Sequence, residues 1–473
     1  MKKSKVLTLL IAFVLFMSLL NIGAANATPT HSDDGQTFEV IFVEDLFGDP
    51  DFDHYIERLL IDAHGEEFMQ NHDVALSIAH DFHNALPQGR NNDTLYPEAF
   101  GGMYIADDGN LTIQVVGTAT DDILQMSRSS NVNVVYVTYS RAELLEVWET
   151  IFDFMSANWQ NSDCVVVQNI NTASIDTFGN RVNVYLFDDN DTQIDLFKST
   201  VVSHSSIVFI YSSHRYSEDD ECLEFALPSI DVIYGVNEVE IYSDECLQIM
   251  PLSYDAMHSI CEVEPYSIEP LSTFIIQPGS RIERSSGAAR SIGFRARLNN
   301  EVGFVTAAHG TNPLLFVGEH FYAGTLNTRR QHVGTIRRIN ATTDTAFLAL
   351  APNTTMTIGR PEFAINRAAL ISVVGSVAIR VSGGGGASPL ISEGRIYRLN
   401  HIHPGGLGPV ITVRATYERA GGDSGGIIIQ RLPTSSPTPQ YGILGTHVGH
   451  HNVVQGVYSE ISRINANLGT TLY

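Results

Sequence analysis

From residue 281 to its end the chain has no lysine and no cysteine, although that stretch carries 18 arginines. Without thiols it forms no disulfide of its own and supplies no cysteine ligand to a metal. Acidic residues are scarce there as well: nine from residue 281 onward, against 44 before it. The formal balance is therefore +9 for the C-terminal part and −34 for the rest, which holds ten basic residues. Two readings follow. Opposite fields attract and bring two units together, or an acidic surface keeps the first unit in solution. After the first few dozen residues, no stretch is apolar for long enough to cross a bilayer, so no later membrane span is expected.

What the beginning does have is a basic and then apolar leader. Lys2, Lys3 and Lys5 precede "VLTLLIAFVLFMSLL" and the small-residue site "ANA". That order predicts a secretory signal peptide over residues 1–27, cleaved after Ala27; the apolar run is short for an uncleaved anchor. An exported product with no membrane attachment after signal removal is expected. Export permits disulfides, and all four cysteines (Cys164, Cys222, Cys246 and Cys261) lie in the acidic part. Four cysteines allow three pairings, and the spacing, which is not that of a zinc ribbon, leaves all three open.

Residues 53–86 carry apolar residues at helical spacing, predicting one or two amphipathic helices. Their histidines (His54, His64, His72, His80 and His83) are read as surface or interface groups rather than metal ligands. The pattern then predicts one plan used twice, giving two small α+β units. "GGMYIADDGNLTIQVVG" predicts a hairpin turning at Asp-Gly-Asn, followed by the strand "VNVVYVTYS" and the helix "RAELLEVWETIFDFM". "TASIDTFGNRVNVYLFDD" predicts a second hairpin turning at Gly-Asn, with "SSIVFIYS" as a later strand. The acidic, proline-bearing "EVEPYSIEPLSTF" reads as a linker, so the expected domains are 28–271 and 272–473. The second of these is built of short β-branched segments and glycine-rich turns, with helical periodicity only in "YSEISRINANL". An all-β barrel or sandwich is expected. The run "SGGGGAS" lacks the Lys-Ser/Thr pair and helix start of a phosphate cradle, and is read as a turn.

Three short stretches carry chemistry: "TAAHG" with His309, "TTDTAFLAL" with Asp344 and "GGDSGG" with Ser424. A serine hydroxyl is a poor nucleophile until a histidine takes its proton, and a carboxylate must fix that histidine's tautomer. The glycines around Ser424 permit a backbone that turns N–H groups toward one point beside the serine oxygen, as oxyanion stabilisation requires.

On these stretches, with "SIGF" at 291–294, "GFVTAAH" at 303–309, "VGTIRRINATTDTAFLAL" at 333–350 and "GVYSEISRI" at 456–464, residues 273–473 resemble a chymotrypsin-like serine protease of the bacterial alpha-lytic protease and streptogrisin branch. The resemblance implies a double six-stranded β-barrel with the site between barrels. It implies His309 as general base, Asp344 as its orienter, Ser424 as nucleophile, and the N–H groups of Gly422 and Ser424 as the oxyanion hole. More weakly, "FGGMYIADDGNLTIQV" and "SRAELLEVWE" resemble the pro-domain of the same group, which assists folding and inhibits the enzyme until removed. A stable sensor or adhesion domain is the competing reading of that half.

Departures from the family pattern are informative too. The family places cysteine where this chain has Arg290 and Gly310, so both ends of one bridge are missing together, as are the other bridges. Loss of whole pairs is what a scaffold without disulfides shows, and stability is expected to rest on the core. Asp423 is expected to pair with Arg380, which the resemblance implies as a support of the oxyanion loop. For specificity, Glu418 near the pocket base favours basic substrates, whereas His447 and Arg419 favour an acidic side chain through charge-assisted bonds. The lean is to cleavage after acidic residues, with basic and small-apolar preferences still open. No metal, cofactor or nucleic-acid partner is expected; the partners are protein or peptide substrates and the chain's own pro-domain. The alternative is an exported binding protein on a protease fold, without turnover.

Overall fold

The computed structural model describes residues 52–473 apart from 88, 90–93, 119, 128, 130–131, 214–273, 310–314, 324–330, 361–363, 384–389, 406–407, 420, 433–439 and 453–454. The expected signal peptide, the expected boundary near residue 272, Gly310, Cys222, Cys246 and Cys261 lie outside the described residues.

The N-terminal region opens with helices α1 (Phe52–His64) and α2 (Glu66–Ala85). Strands β1 (Phe100–Ile105) and β2 (Leu111–Val116), helix α3 (Thr120–Ser127) and β3 (Asn133–Val137) follow. Then come α4 (Arg141–Asn158), α5 (Val165–Asn169), β4 (Ile170–Asp176), β5 (Arg181–Leu186), α6 (Asp191–Thr200) and β6 (Ile207–Tyr211). Both hairpins are antiparallel, and each is joined by a third strand running parallel to its second. The second hairpin turns through Asn180, at φ +46°, a left-handed conformation that asparagine tolerates better than most residues.

Each hairpin and its third strand follow a helix that covers them. The sequence reading attached α4 to the first hairpin. In the structure Leu144, Val147, Trp148, Ile151 and Met155 of α4 bury against Ala173, Ile175, Val182 and Val184 of the second. The first hairpin is covered instead by α2, through Ala75, Leu76, Ala79 and Phe82. Helical spacing gives each helix one apolar stripe but does not say which sheet it meets. Helix α4 starts at a capping box in which Ser140 and Glu143 satisfy each other's backbone N–H groups.

The C-terminal region is all-β except for one helix. Its strands are β7 (Phe274–Ile276), β8 (Arg281–Arg284), β9 (Ala289–Ser291), β10 (Arg295–Leu298), β11 (Glu301–Ala307), β12 (His320–Ala323), β13 (Gln331–Asn340), β14 (Thr345–Leu350) and β15 (Thr354–Met356). They continue as β16 (Ala364–Ala369), β17 (Val377–Val381), β18 (Ile391–Gly405), β19 (Gly408–Ala415), β20 (Ile427–Arg431), β21 (Gln440–Asn452) and β22 (Gln455–Glu460). Helix α7 (Ile461–Leu468) and β23 (Thr470–Leu472) end the chain. In the first barrel, β9 and β10 act as one bent strand that pairs with β8 at one end and β11 at the other. The order β8, β9/β10, β11, β14, β13, β12 therefore returns to β8. The second barrel closes in the order β17, β20, β21, β22, β19, β18, because β18 also pairs with β17. Closure leaves neither barrel a free sheet edge within that ring. Helix α7 buries Ile461, Ile464 and Leu468, and β23 returns to pair with β10 of the first barrel.

The N-terminal region packs on the second barrel through its helices, where Ile56, Leu60, Phe68 and Met69 share a core with Val377, Ile379 and Ile427, and through its strands. Thr172 of β4 donates its hydroxyl to the Ile402 carbonyl of the β18–β19 hairpin, and Ile175 bridges Leu399. Ile105 at the end of β1 donates its N–H to the Val374 carbonyl at 2.8 Å. Here the charge asymmetry of the sequence becomes local pairs: Arg398 to Asp176 (2.5 Å), Arg395 to Asp107 (2.8 Å) and Arg431 to Glu57 (3.3 Å).

Candidate active site

Strand pairing brings the first two site residues together. Ala307, at the end of β11, lies opposite Thr345, at the start of β14, so the residues just beyond the ladder, His309 and Asp344, meet. The Asp344 carbonyl accepts the N–H of Ala308 at 2.8 Å, and Asp344 Oδ1 accepts the N–H of His309 at 2.6 Å. Asp344 Oδ2 is hydrogen-bonded to His309 Nδ1. A carboxylate on Nδ1 keeps the ring proton there and leaves Nε2 as an acceptor. Nε2 lies 2.7 Å from Ser424 Oγ. The arrangement can take a proton from a serine hydroxyl and stabilise the imidazolium that results.

Ser424 belongs to the second barrel's loop before β20, and that loop is pressed against the first barrel. The Ser424 carbonyl accepts the N–H of Ser291 at 2.9 Å. Gly425 follows at φ +95°, and a Cβ there would sit 2.1 Å from Thr306 Oγ1 and 2.2 Å from the Ser291 carbonyl oxygen. Only glycine fits that conformation and that gap. Gly422, before the serine, also has a positive φ, of 89°.

Beneath the loop, Asp423 and Arg380 are both fully buried, with Arg380 Nη1 2.8 Å from Asp423 Oδ2. Ser382 bridges them: its hydroxyl donates to Asp423 Oδ1 at 2.6 Å and accepts from Arg380 Nη1. Arg380 Nε donates to the Glu418 carbonyl at 2.8 Å, which ties the segment between β19 and the nucleophile to the same pair. The Glu418 side chain itself is exposed, and Arg419 is half-buried. His447 on β21 is buried, and its backbone bonds to Gly425 and Gly426 at 2.8 Å each, directly after Ser424. His447 Nδ1 is 3.0 Å from the Tyr417 hydroxyl, whose pKa burial pushes well up, so that it stays neutral.

Arg290 also has a structural place. It is buried, and its Nη1 donates to the Ala307 carbonyl at 3.0 Å, tying the bent strand to the residues just before His309. Sequence reasoning missed Ser382, Tyr417, Asn340 and Ser459. Ser382 carried a signal, since two-residue spacing from Arg380 puts it on the same strand face. Tyr417 and Ser459 act through contacts between distant segments, which no local pattern marks, and Asn340 bonds within its own turn, to Thr342 and Thr343. Among the described residues, no three His, Cys, Asp or Glu side chains gather as a metal site.

Comparisons with known proteins fit the two regions separately. Residues 64–137 match a Pro-like N-terminal domain, and residues 142–212 a Pro-like C-terminal domain, so the break falls immediately before α4. No curated protein matches the chain. Among solved structures it is similar to Thermobifida fusca protease A, at 20% identity over 42% of this chain and 98% of that one, with a TM-score of 0.32. It is similar to a glutamic acid specific serine protease described as using a novel histidine triad in substrate binding. That match has 22% identity, 42% and 100% coverage, and a TM-score of 0.32. A third is an alpha-lytic protease homolog, N4, at 16% identity, 42% and 100% coverage, and a TM-score of 0.32. In fold, the C-terminal region is a pair of closed six-stranded antiparallel barrels preceded by an α+β region. The matched Pro-like domain pair lies ahead of the double barrel in the chain.

Proposed function

We propose that the chain is a secreted serine endopeptidase, made as a zymogen whose N-terminal region assists folding and inhibits the enzyme until it is cut off. The observation that carries this reading is the unbroken hydrogen-bonded chain from Asp344 through His309 to Ser424, spanning both barrels. In the proposed cycle His309 Nε2 takes the Ser424 proton as Oγ attacks the scissile carbonyl. The imidazolium then gives that proton to the leaving amine, and a water activated by the same nitrogen hydrolyses the acyl-enzyme. Gly422 and Ser424 supply the N–H groups for the tetrahedral oxyanion, and the Arg380–Asp423 pair holds their loop in shape.

For specificity we propose cleavage after acidic residues. His447 supports this, being joined by its backbone to the residues following the nucleophile, and Arg419 lies five residues before Ser424 in the sequence. Glu418, the residue that argued for basic substrates, turns its carboxylate to solvent. A peptide panel varying only the residue before the cut tests the proposal. Turnover by the mature enzyme is expected to be highest for glutamate or aspartate and absent in Ser424→Ala. A preference for arginine would overturn the specificity, and no turnover of any peptide would overturn the enzyme.

A further inference from the structure

The bond between His309 and Ser424 joins two barrels, so its geometry depends on how the turn carrying Asp344 is registered against the second barrel. That turn, residues 341–344 between β13 and β14, leaves Asp344 at φ +48°, a conformation an aspartate holds only when its surroundings fix it. Two sets of contacts do so. From within the first barrel, Asn340 Oδ1 accepts three hydrogen bonds: Thr342 Oγ1 at 2.8 Å, Thr343 N–H at 2.9 Å and Thr343 Oγ1 at 3.0 Å. From the second barrel, Ser459 Oγ on β22 donates to the Thr343 carbonyl at 2.5 Å, and the Ile411 N–H on β19 donates to the Thr342 carbonyl at 3.0 Å. Thr343 and Ser459 are almost wholly buried, so these bonds meet little competition from water.

We infer that Asn340 and Ser459 are positioning residues for Asp344, one shaping its turn from the inside and the other locking that turn to the barrel that carries Ser424. The inference rests on the proposed triad and adds residues that touch none of its members. A carboxylate held in place supports the imidazolium, so a displaced Asp344 lowers the affinity of His309 for its proton.

The test is the pH profile of Asn340→Ala and Ser459→Ala in the mature enzyme, beside the conservative variants Asn340→Asp and Ser459→Thr. Each alanine variant is expected to lose about tenfold in kcat, the equivalent of one buried hydrogen bond, with KM little changed. The acid limb of kcat/KM is expected to move to lower pH, and the conservative variants, which keep the acceptor or the hydroxyl, to restore both. Unchanged turnover in the alanine variants would overturn the inference, and so would a loss that leaves the acid limb where it was. If Ser459→Ala does not accumulate, Ser459→Cys replaces it, with a weaker donor of similar size and the same two outcomes. The downfield proton resonance of the His309–Asp344 bond gives a readout independent of turnover. It should move upfield in the alanine variants even in an unprocessed chain. An inactive wild type would then count against the proposed function, whereas an unmoved resonance would count against the positioning roles.

Discussion

At the scale of single residues, the site depends on buried groups that cannot lose their partners cheaply. Asp423 is fully buried against Arg380, and removing the guanidinium leaves a carboxylate without its counter-charge. Arg380→Ala is therefore expected to destabilise the protein by about 3–5 kcal/mol, the usual cost of breaking a buried pair on one side. Denaturant unfolding in a Ser424→Ala background, where self-digestion is absent, measures it; an unchanged midpoint would contradict the role given to the pair. The three residues of the proposed triad were legible in the sequence because each sits in a short motif whose chemistry is local. Ser459 and Tyr417 were not, because each acts on a partner brought to it by the fold, and Asn340 was not, because its bonds to Thr342 and Thr343 form only once the turn is made. Arg290 was legible as an absent cysteine, but not as what replaces it. Its bond to Ala307 is worth about 1–3 kcal/mol, against about 2–4 kcal/mol for a disulfide.

At the scale of elements, strands and turns were easier to read than their partners. Both hairpins turn at the Asp-Gly-Asn and Gly-Asn sequences that predict them, because those residues accept left-handed backbone at little cost. Helix α4 was legible as a helix but not as the cover of the second hairpin, and α3, α5 and α6 were too short or too weakly patterned to stand out. One of the contacts that dock the first unit on the second barrel is a tight backbone approach. Gly375, at φ +86°, faces the end of β1 so closely that a Cβ would lie 1.9 Å from the Ile105 carbonyl oxygen. Gly375→Ala is expected to weaken the hold of residues 52–137 on the barrel while leaving each barrel intact. Hydrogen exchange should show faster exchange at Ile105, whose N–H is bonded to Val374, with little change in β11 and β14. Equal protection at Ile105 in variant and wild type would contradict that account.

For the whole molecule, the N-terminal region and the second barrel share an interface that is sensitive to acid. His72 on α2 is almost wholly buried and accepts the Val377 N–H at 3.1 Å through Nε2, which it can do only when neutral. Asp73, His64 and Arg395 face it, and burial holds its pKa below the ordinary 6.5. His401 on β18, buried against β4 beside Arg414, His403 and Arg398, is held well below 6.5 by the same cause. A histidine whose pKa is depressed in the assembled state contributes stability that is complete above about pH 6.5 and is lost as pH falls toward the depressed value. Attachment of the N-terminal region should therefore weaken as pH falls below about 6.5, and His72→Gln, which keeps an acceptor but does not titrate, should flatten part of that dependence. Thermal unfolding across this range checks it; identical curves at both ends would contradict it.

The most direct test of the central claim, that Asp344, His309 and Ser424 form a working nucleophilic site, is covalent labelling of the processed protein with a fluorophosphonate, followed by peptide mapping. The account predicts one modified residue, Ser424, with labelling lost in Ser424→Ala and sharply reduced in His309→Ala. Folded, processed protein that takes up no label, or takes it up at another serine, would contradict it.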